Sequence, residues 1–213
     1  MIIATILNTL FITSNIHANL LGDYIASDNP YKVDQRRTLG TGSRSNCNNQ
    51  LKNGSIELIV PSMKVVHFTT QARPNLYLSS KNNYQNPFKF FLIDAQSAKT
   101  IAQKDILIRT GVNQISLPSS VNLKTNRIYL WYIGIPCGNN DNQYEVLNSS
   151  LKRILPNSNL ANNLNFNKTN EQLAKIYAIN GIWYDAIDYA FKSNSTSYIN
   201  QLLLSAGVNQ IKY

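Results

Sequence analysis

From Ile56 onward, short runs of alternating apolar and polar residues recur, each closed by a cluster of Pro, Gly, Asn or Ser. "SIELIVP" (55–61), "VVHFTT" (65–70), "PNLYLS" (74–79) and "FKFFLIDA" (88–95) read as strands, the last alternating cleanly enough to be half-buried. "DILIRT" (105–110), "NQISLP" (113–118), "RIYLWYIGIP" (127–136) and "QYEVLNSSLKRIL" (143–155) continue the series. Around eight short strands at this spacing, without a long helix between them, predict an antiparallel β-sandwich over 54–156.

After Pro156 the period changes. "NSNLANNLNFNKTN" (157–170) reads as a polar connector. Thr169 then stands three residues before Gln172, the capping-box spacing, and Leu173, Ile176, Tyr177 and Asn180 fall at helical intervals, with Gly181 placed to end the helix. "IWYDAIDYAFK" (182–192) predicts a second helix and "STSYINQLLLSAG" (195–207) a third, stopped by Gly207. The predicted class is therefore β plus α: a sandwich followed by a C-terminal helical subdomain, 157–213, made of a hairpin and a third helix.

The stretch before Ser55 lacks this periodicity. Residues 1–18 carry an apolar run, Ile2 to Ile12, with Ala18 at the last position before a possible cut, which predicts a signal peptide cleaved near Ala18. The run is too short and too interrupted to span a bilayer, so no transmembrane span is expected after cleavage. No Lys or Arg precedes it, which keeps open a first buried strand or a mis-assigned start. Residues 19–53 form a loop-rich leader. Its "GTGSRS" has no preceding strand pattern, following helix or phosphate-loop lysine, and reads as a linker.

Composition alters this picture little. The net charge of +9, from 20 basic and 11 acidic residues, is spread along the chain without a basic stripe, which argues against nucleic-acid binding. The four N-x-S/T triplets, at Asn53, Asn148, Asn167 and Asn194, are what a chain with 30 Asn yields by chance. The two cysteines, Cys47 and Cys137, stand outside any C-x-x-C. Paired, they would close a loop of about 90 residues, worth on the order of 4–5 kcal/mol; two independent buried thiols are the alternative.

Candidate chemistry is thin, and no catalytic, metal-ligating or cofactor-binding set is assigned. His67 sits at strand spacing in "KVVHFTT", and no G-x-S-x-G supports a serine nucleophile. Asp141 and Glu145 are too few acids for a calcium loop. Tyr129, Trp131 and Tyr132 offer aromatic surface for a glycan, although they lie in the most apolar run of the chain, where at least one face is expected to be core.

Two resemblances add to this reading. The order "RRTLGTGSR…C", "LIVPS", "TTQARPNLYL", "FKFFLIDA", "ISLPSS", "IYLWYIGIPC" and "YAINGIWYDA" resembles the DUF 928 family, a cyanobacterial family of unassigned function, from about Arg36 to Ile211. That resemblance implies an exported protein with a β-plus-helical layout. Where family members carry an aromatic-rich segment after the "ARP" element, this chain has Asn75-Leu76-Tyr77-Leu78. Residues 173–190 resemble a single tetratricopeptide helix pair: Ala174 and Ala186 permit close approach, Tyr177 and Trp183 fill the wedge, and Gly181 turns the chain. One such unit cannot bury a continuous core alone, so it must lean on something else. Spacing gives 180–191 chiefly a packing role, with Tyr184 and Asp185 held as the possible partner surface. The resulting expectation is an exported, non-catalytic interaction or scaffold module whose partner is another envelope or secreted protein, with a carbohydrate-binding module using the sandwich aromatics as the alternative and an unrecognised hydrolase behind it.

Overall fold

Phe88, Phe90 and Leu92 occupy every second position of one strand and are all buried, while Lys89 and Phe91 between them are half-buried, as period-two alternation across a pleated sheet requires. The computed structural model describes residues 23–26, 55–137, 140–164 and 167–209. The expected signal peptide 1–18, most of the leader 19–53 and Cys47 lie outside the described residues. Eight strands are present among them: β1 (Ile56–Leu58), β2 (Val66–Thr69), β3 (Asn75–Ser80), β4 (Phe88–Asp94), β5 (Lys99–Ile106), β6 (Gly111–Ser116), β7 (Ile128–Cys137) and β8 (Asn140–Arg153). Four helices follow: α1 (Ser158–Leu164), α2 (Asn170–Ile179), α3 (Trp183–Ser193) and α4 (Thr196–Ser205).

The strands form two sheets, one of three strands ordered β1-β3-β6 and one of five ordered β2-β8-β7-β4-β5. Pairing is antiparallel with one exception: β2 runs parallel to β8, with Val66 opposite Ser150 and Thr69 opposite Arg153. Strands so far apart in sequence are free of the hairpin constraint that makes neighbours antiparallel. In β7, Tyr129, Trp131, Ile133 and Ile135 share the inner face, and Trp131 lies opposite Leu92 of β4.

Two elements depart from the expected pattern. "DILIRT" contributes only Asp105 and Ile106 to a strand, β5, that begins at Lys99. Only Ala102 of β5 is buried, because β5 is the edge of its sheet; its identity comes from pairing with β4 rather than from its own side chains. The predicted polar connector contains α1, begun by Asn157, whose side chain accepts the Leu160 amide at 2.8 Å, and anchored by Leu160 alone. With one apolar anchor, no helical stripe was legible.

One hydrophobic core runs through the whole assembly. Leu76, Phe90, Trp131 and Leu151 of the sheets belong to the same buried cluster as Ala174, Trp183, Ile187 and Leu202 of the helices. The change of period after Pro156 therefore marks a change of secondary structure without a break in packing.

Candidate functional site

Helix α2 opens with the expected capping box: the Thr169 hydroxyl accepts the Gln172 amide at 3.2 Å, and the Gln172 side-chain oxygen accepts the Thr169 amide at 2.9 Å. It closes at Gly181, whose φ of +71° admits the left-handed turn. There the Gly181 amide donates to Ala178 O and the Ile182 amide to Tyr177 O, each at 3.0 Å, the paired bonds of a Schellman motif. Ala174 and Ala186 are fully buried, as is Gly181. Tyr177 is buried too, but the ring stacked on it is Tyr189, with centroids 5.5 Å apart. Trp183 turns elsewhere: its indole N–H donates to Ile59 O at 2.9 Å, and its ring meets the edge of Tyr24 at 5.1 Å.

Helix α3 is buried almost all round, and its polar tips end on strands and their connections. The Tyr184 hydroxyl accepts the Trp131 indole N–H at 2.9 Å and donates to Ser150 O at 3.1 Å. The Asp185 carboxylate accepts the Thr70 amide at 3.0 Å, the Thr70 hydroxyl at 2.6 Å and the Gln71 side-chain amide at 3.3 Å. One turn later, Asp188 accepts the Tyr77 hydroxyl at 2.6 Å, Asn75 at 2.9 Å and Lys192 at 2.6 Å. Asp188 thus ties α3 to the three-stranded sheet, while Tyr184 and Asp185 tie it to the five-stranded sheet and to the β2–β3 connection.

The stretch packs, as its spacing predicts, and the possible partner surface at Tyr184 and Asp185 is corrected. Each is only 1% exposed, and their polar atoms are satisfied internally. Burial holds the Asp185 pKa above the ordinary carboxylate value, against hydrogen bonds from Thr69, Thr70 and Gln71 that pull it down. Burial likewise raises the Tyr184 hydroxyl, and burial together with Asp188 raises that of Tyr77. Asp188, Asn75 and Thr70 were missed by the sequence reading. In sequence Asp185, Asp188 and Lys192 share one polar face of an otherwise apolar helix, which reads as a solvated face; nothing local shows that strands cover it.

Around this joint the surface is shallowly cleft. Where the β1–β2 connection meets the end of α4, a cleft of about 410 Å³ is lined by Glu57, Met63, Leu147 and Val208 among others. Beside it, a smaller one of about 280 Å³ is lined by Tyr24, His67 and Ser205. His67 is buried, and its Nε2 lies 2.7 Å from Ser62 O. The Ser62 amide lies 3.4 Å from the same nitrogen, and the shorter contact, to a carbonyl that can only accept, is the one that a protonated Nε2 satisfies. Burial lowers the His67 pKa despite that bond. No group of three His, Cys, Asp or Glu positioned to hold a metal occurs among the described residues. Tyr129, Trp131 and Tyr132 are all buried and present no free ring face for a sugar. Cys137 ends β7, and the tetratricopeptide-like spacing corresponds to the single α2–α3 pair. No helix of the described residues is long and apolar enough to cross a membrane.

Two sheets of three and five mostly antiparallel strands, sharing one core with a helix docked on both, define a β-plus-α protein built around a buried joint. The family model described as Domain of Unknown Function (DUF928) matches residues 39–212, and the chain belongs to that family. Comparison with curated proteins finds no match.

Proposed function

We propose that this protein is an exported, non-catalytic interaction or scaffold module of the cell envelope, and that it meets its partner, another envelope or secreted protein, at the helical end. The observation that carries this reading is that three of the seven exposed large apolar side chains among the described residues lie at the helical end, the other four being Met63, Leu107, Val146 and Leu155. Ile25, Ile179 and Leu204 are 48%, 43% and 67% exposed. They flank one short segment: the Ile25 amide donates to Ala178 O, beside Ile179, and the Tyr24 amide donates to the Ser205 hydroxyl, beside Leu204. Apolar side chains gathered on one surface mark an interaction site more often than scattered ones do. In this reading Cys47 pairs with Cys137 in the oxidising compartment reached after cleavage near Ala18. A glycan partner would need a surface other than Tyr129, Trp131 and Tyr132.

The test is crosslinking and pull-down from envelope extract, comparing the mature protein with an Ile25→Asp/Leu204→Asp variant of unchanged circular dichroism. A specific partner retained by the first and lost by the second is expected. Equal recovery by both proteins, or specific glycan binding with no protein partner, overturns the proposal.

A further inference from the structure

We propose that a separate cleft, beside the β4–β5 turn, binds the phosphate group of a small phosphorylated solute. The cleft, of about 420 Å³, lies between the β4–β5 turn, with Asp94 and Lys99, and the loop before β7, with Lys124, Arg127 and Tyr129. Its basic members are Lys99, Lys124 and Arg127, and its one acid is Asp94. The side chains of Ser97, Ser120 and Asn122 add neutral donors.

The acid is already committed to the protein. One Asp94 oxygen accepts the amides of Gln96 at 2.9 Å and Ser97 at 3.0 Å, and the other accepts from the Arg127 guanidinium. Burial opposes ionisation of Asp94, but those amides and Arg127 outweigh it and hold its pKa below the ordinary value. Asp94 therefore stays ionised, fixes Arg127 and offsets one positive charge. Lys99 and Lys124 remain, both exposed and with no ion pair among the described residues. Two uncompensated charges facing a shared concavity match a dianion such as a phosphate monoester.

The walls are fixed in advance, which lowers the ordering cost of binding. Arg153 donates to Leu123 O at 2.7 Å, and the Leu123 amide donates to Ala72 O at 2.9 Å, so the loop before Lys124 is braced from both sides. The Lys124 amide donates to the Tyr129 hydroxyl at 2.8 Å. Tyr129 is 2% exposed, and no acceptor for its own hydroxyl proton is found among the described residues. An oxyanion in the cleft would supply one. Ala98 and Asn126, with φ of 54° and 59°, make the tight turns that set the two walls beside each other. The volume lies within the roughly 300–1,000 Å³ of small-molecule clefts, which favours an organic phosphate over the inorganic ion.

Isotope-labelled mature protein titrated with glucose 1-phosphate, inorganic phosphate and glucose tests this by amide chemical shifts. Saturable shifts confined to 96–101 and 120–129 are expected with both phosphates and not with glucose, with tighter binding of glucose 1-phosphate. Lys99→Ala/Lys124→Ala should weaken binding by about tenfold or more while leaving other shifts in place. Shifts scattered over surface lysines throughout the chain, or unaltered affinity in the double variant, would overturn the site. Inorganic phosphate bound as tightly as the sugar phosphate would overturn the organic ligand and leave an oxyanion site.

Discussion

Replacing Asp185 with Ala tests whether α3 is held where the hydrogen bonds place it. The carboxylate is almost fully buried and takes the Thr70 amide and hydroxyl, the Gln71 side-chain amide and a bond from Thr69. In the variant the Gln71 side chain is exposed and turns to water, and the Thr70 hydroxyl can rotate, but the Thr70 amide is left without an acceptor. An orphaned donor in this half-buried position costs up to about 1–3 kcal/mol, and each lost bond to a charged group about as much again. Removing a buried charge returns part of that, since burial already raises the Asp185 pKa. The expected net loss is about 2–4 kcal/mol, or roughly 5–15 °C in Tm for a chain of this size. Scanning calorimetry from pH 4 to 7 supplies a second readout. A carboxylate whose folded pKa lies above its unfolded one contributes stability that is fully present below the unfolded value, near 3.8, and is lost as pH rises through the folded value. The gap between wild type and variant should therefore narrow as pH rises. A variant melting within about 2 °C of wild type, or a gap that widens with pH, would refute a buried, donor-satisfied Asp185.

A cycle of Trp131→Phe and Tyr184→Phe should give a coupling energy of about 0.5–1.5 kcal/mol in urea unfolding, the worth of their 2.9 Å bond; additive effects would mean that the bond contributes nothing. Gly181→Ala should lower stability by about 1–2 kcal/mol, read as a lower urea midpoint, because φ is +71° there and a Cβ is strained in the left-handed region. Wild type should lose stability more steeply than His67→Gln as pH falls below about 6.5. A histidine whose folded pKa is lowered by burial contributes stability present above the unfolded value and lost as pH falls through the folded one, so parallel pH profiles would count against the buried ring.

The parts of the fold legible in the sequence are those encoded by neighbours along the chain. β4 alternates because one face of it is core, β7 is a continuous apolar run because residues 131–135 are buried on both faces, and the Thr169/Gln172 box and Gly181 act within a single turn of helix. β5 and α1 escaped because an edge strand and a short helix with one apolar anchor carry almost no periodic signal. Of the residues at the joint, Ala174, Tyr177, Gly181, Trp183 and Ala186 are all buried, but the ring stacked on Tyr177 belongs to Tyr189, a choice made by how α3 is rotated. The cleft at Asp94 was not visible in sequence, since Lys99 and Lys124 come together only when the β4–β5 turn meets the loop before β7.

By itself the sequence determined the element types, the two-part order of strands then helices, and the family, because propensity, periodicity and capping are local properties. Only the tertiary structure decided that β2 lies parallel on β8, that both sheets share one core with α3, and that Tyr184 and Asp185 face inward. A polar residue on a helix reads the same in sequence whether water or a distant strand or loop residue satisfies it. The difference lies in the strands that pack around it, here more than a hundred residues away along the chain.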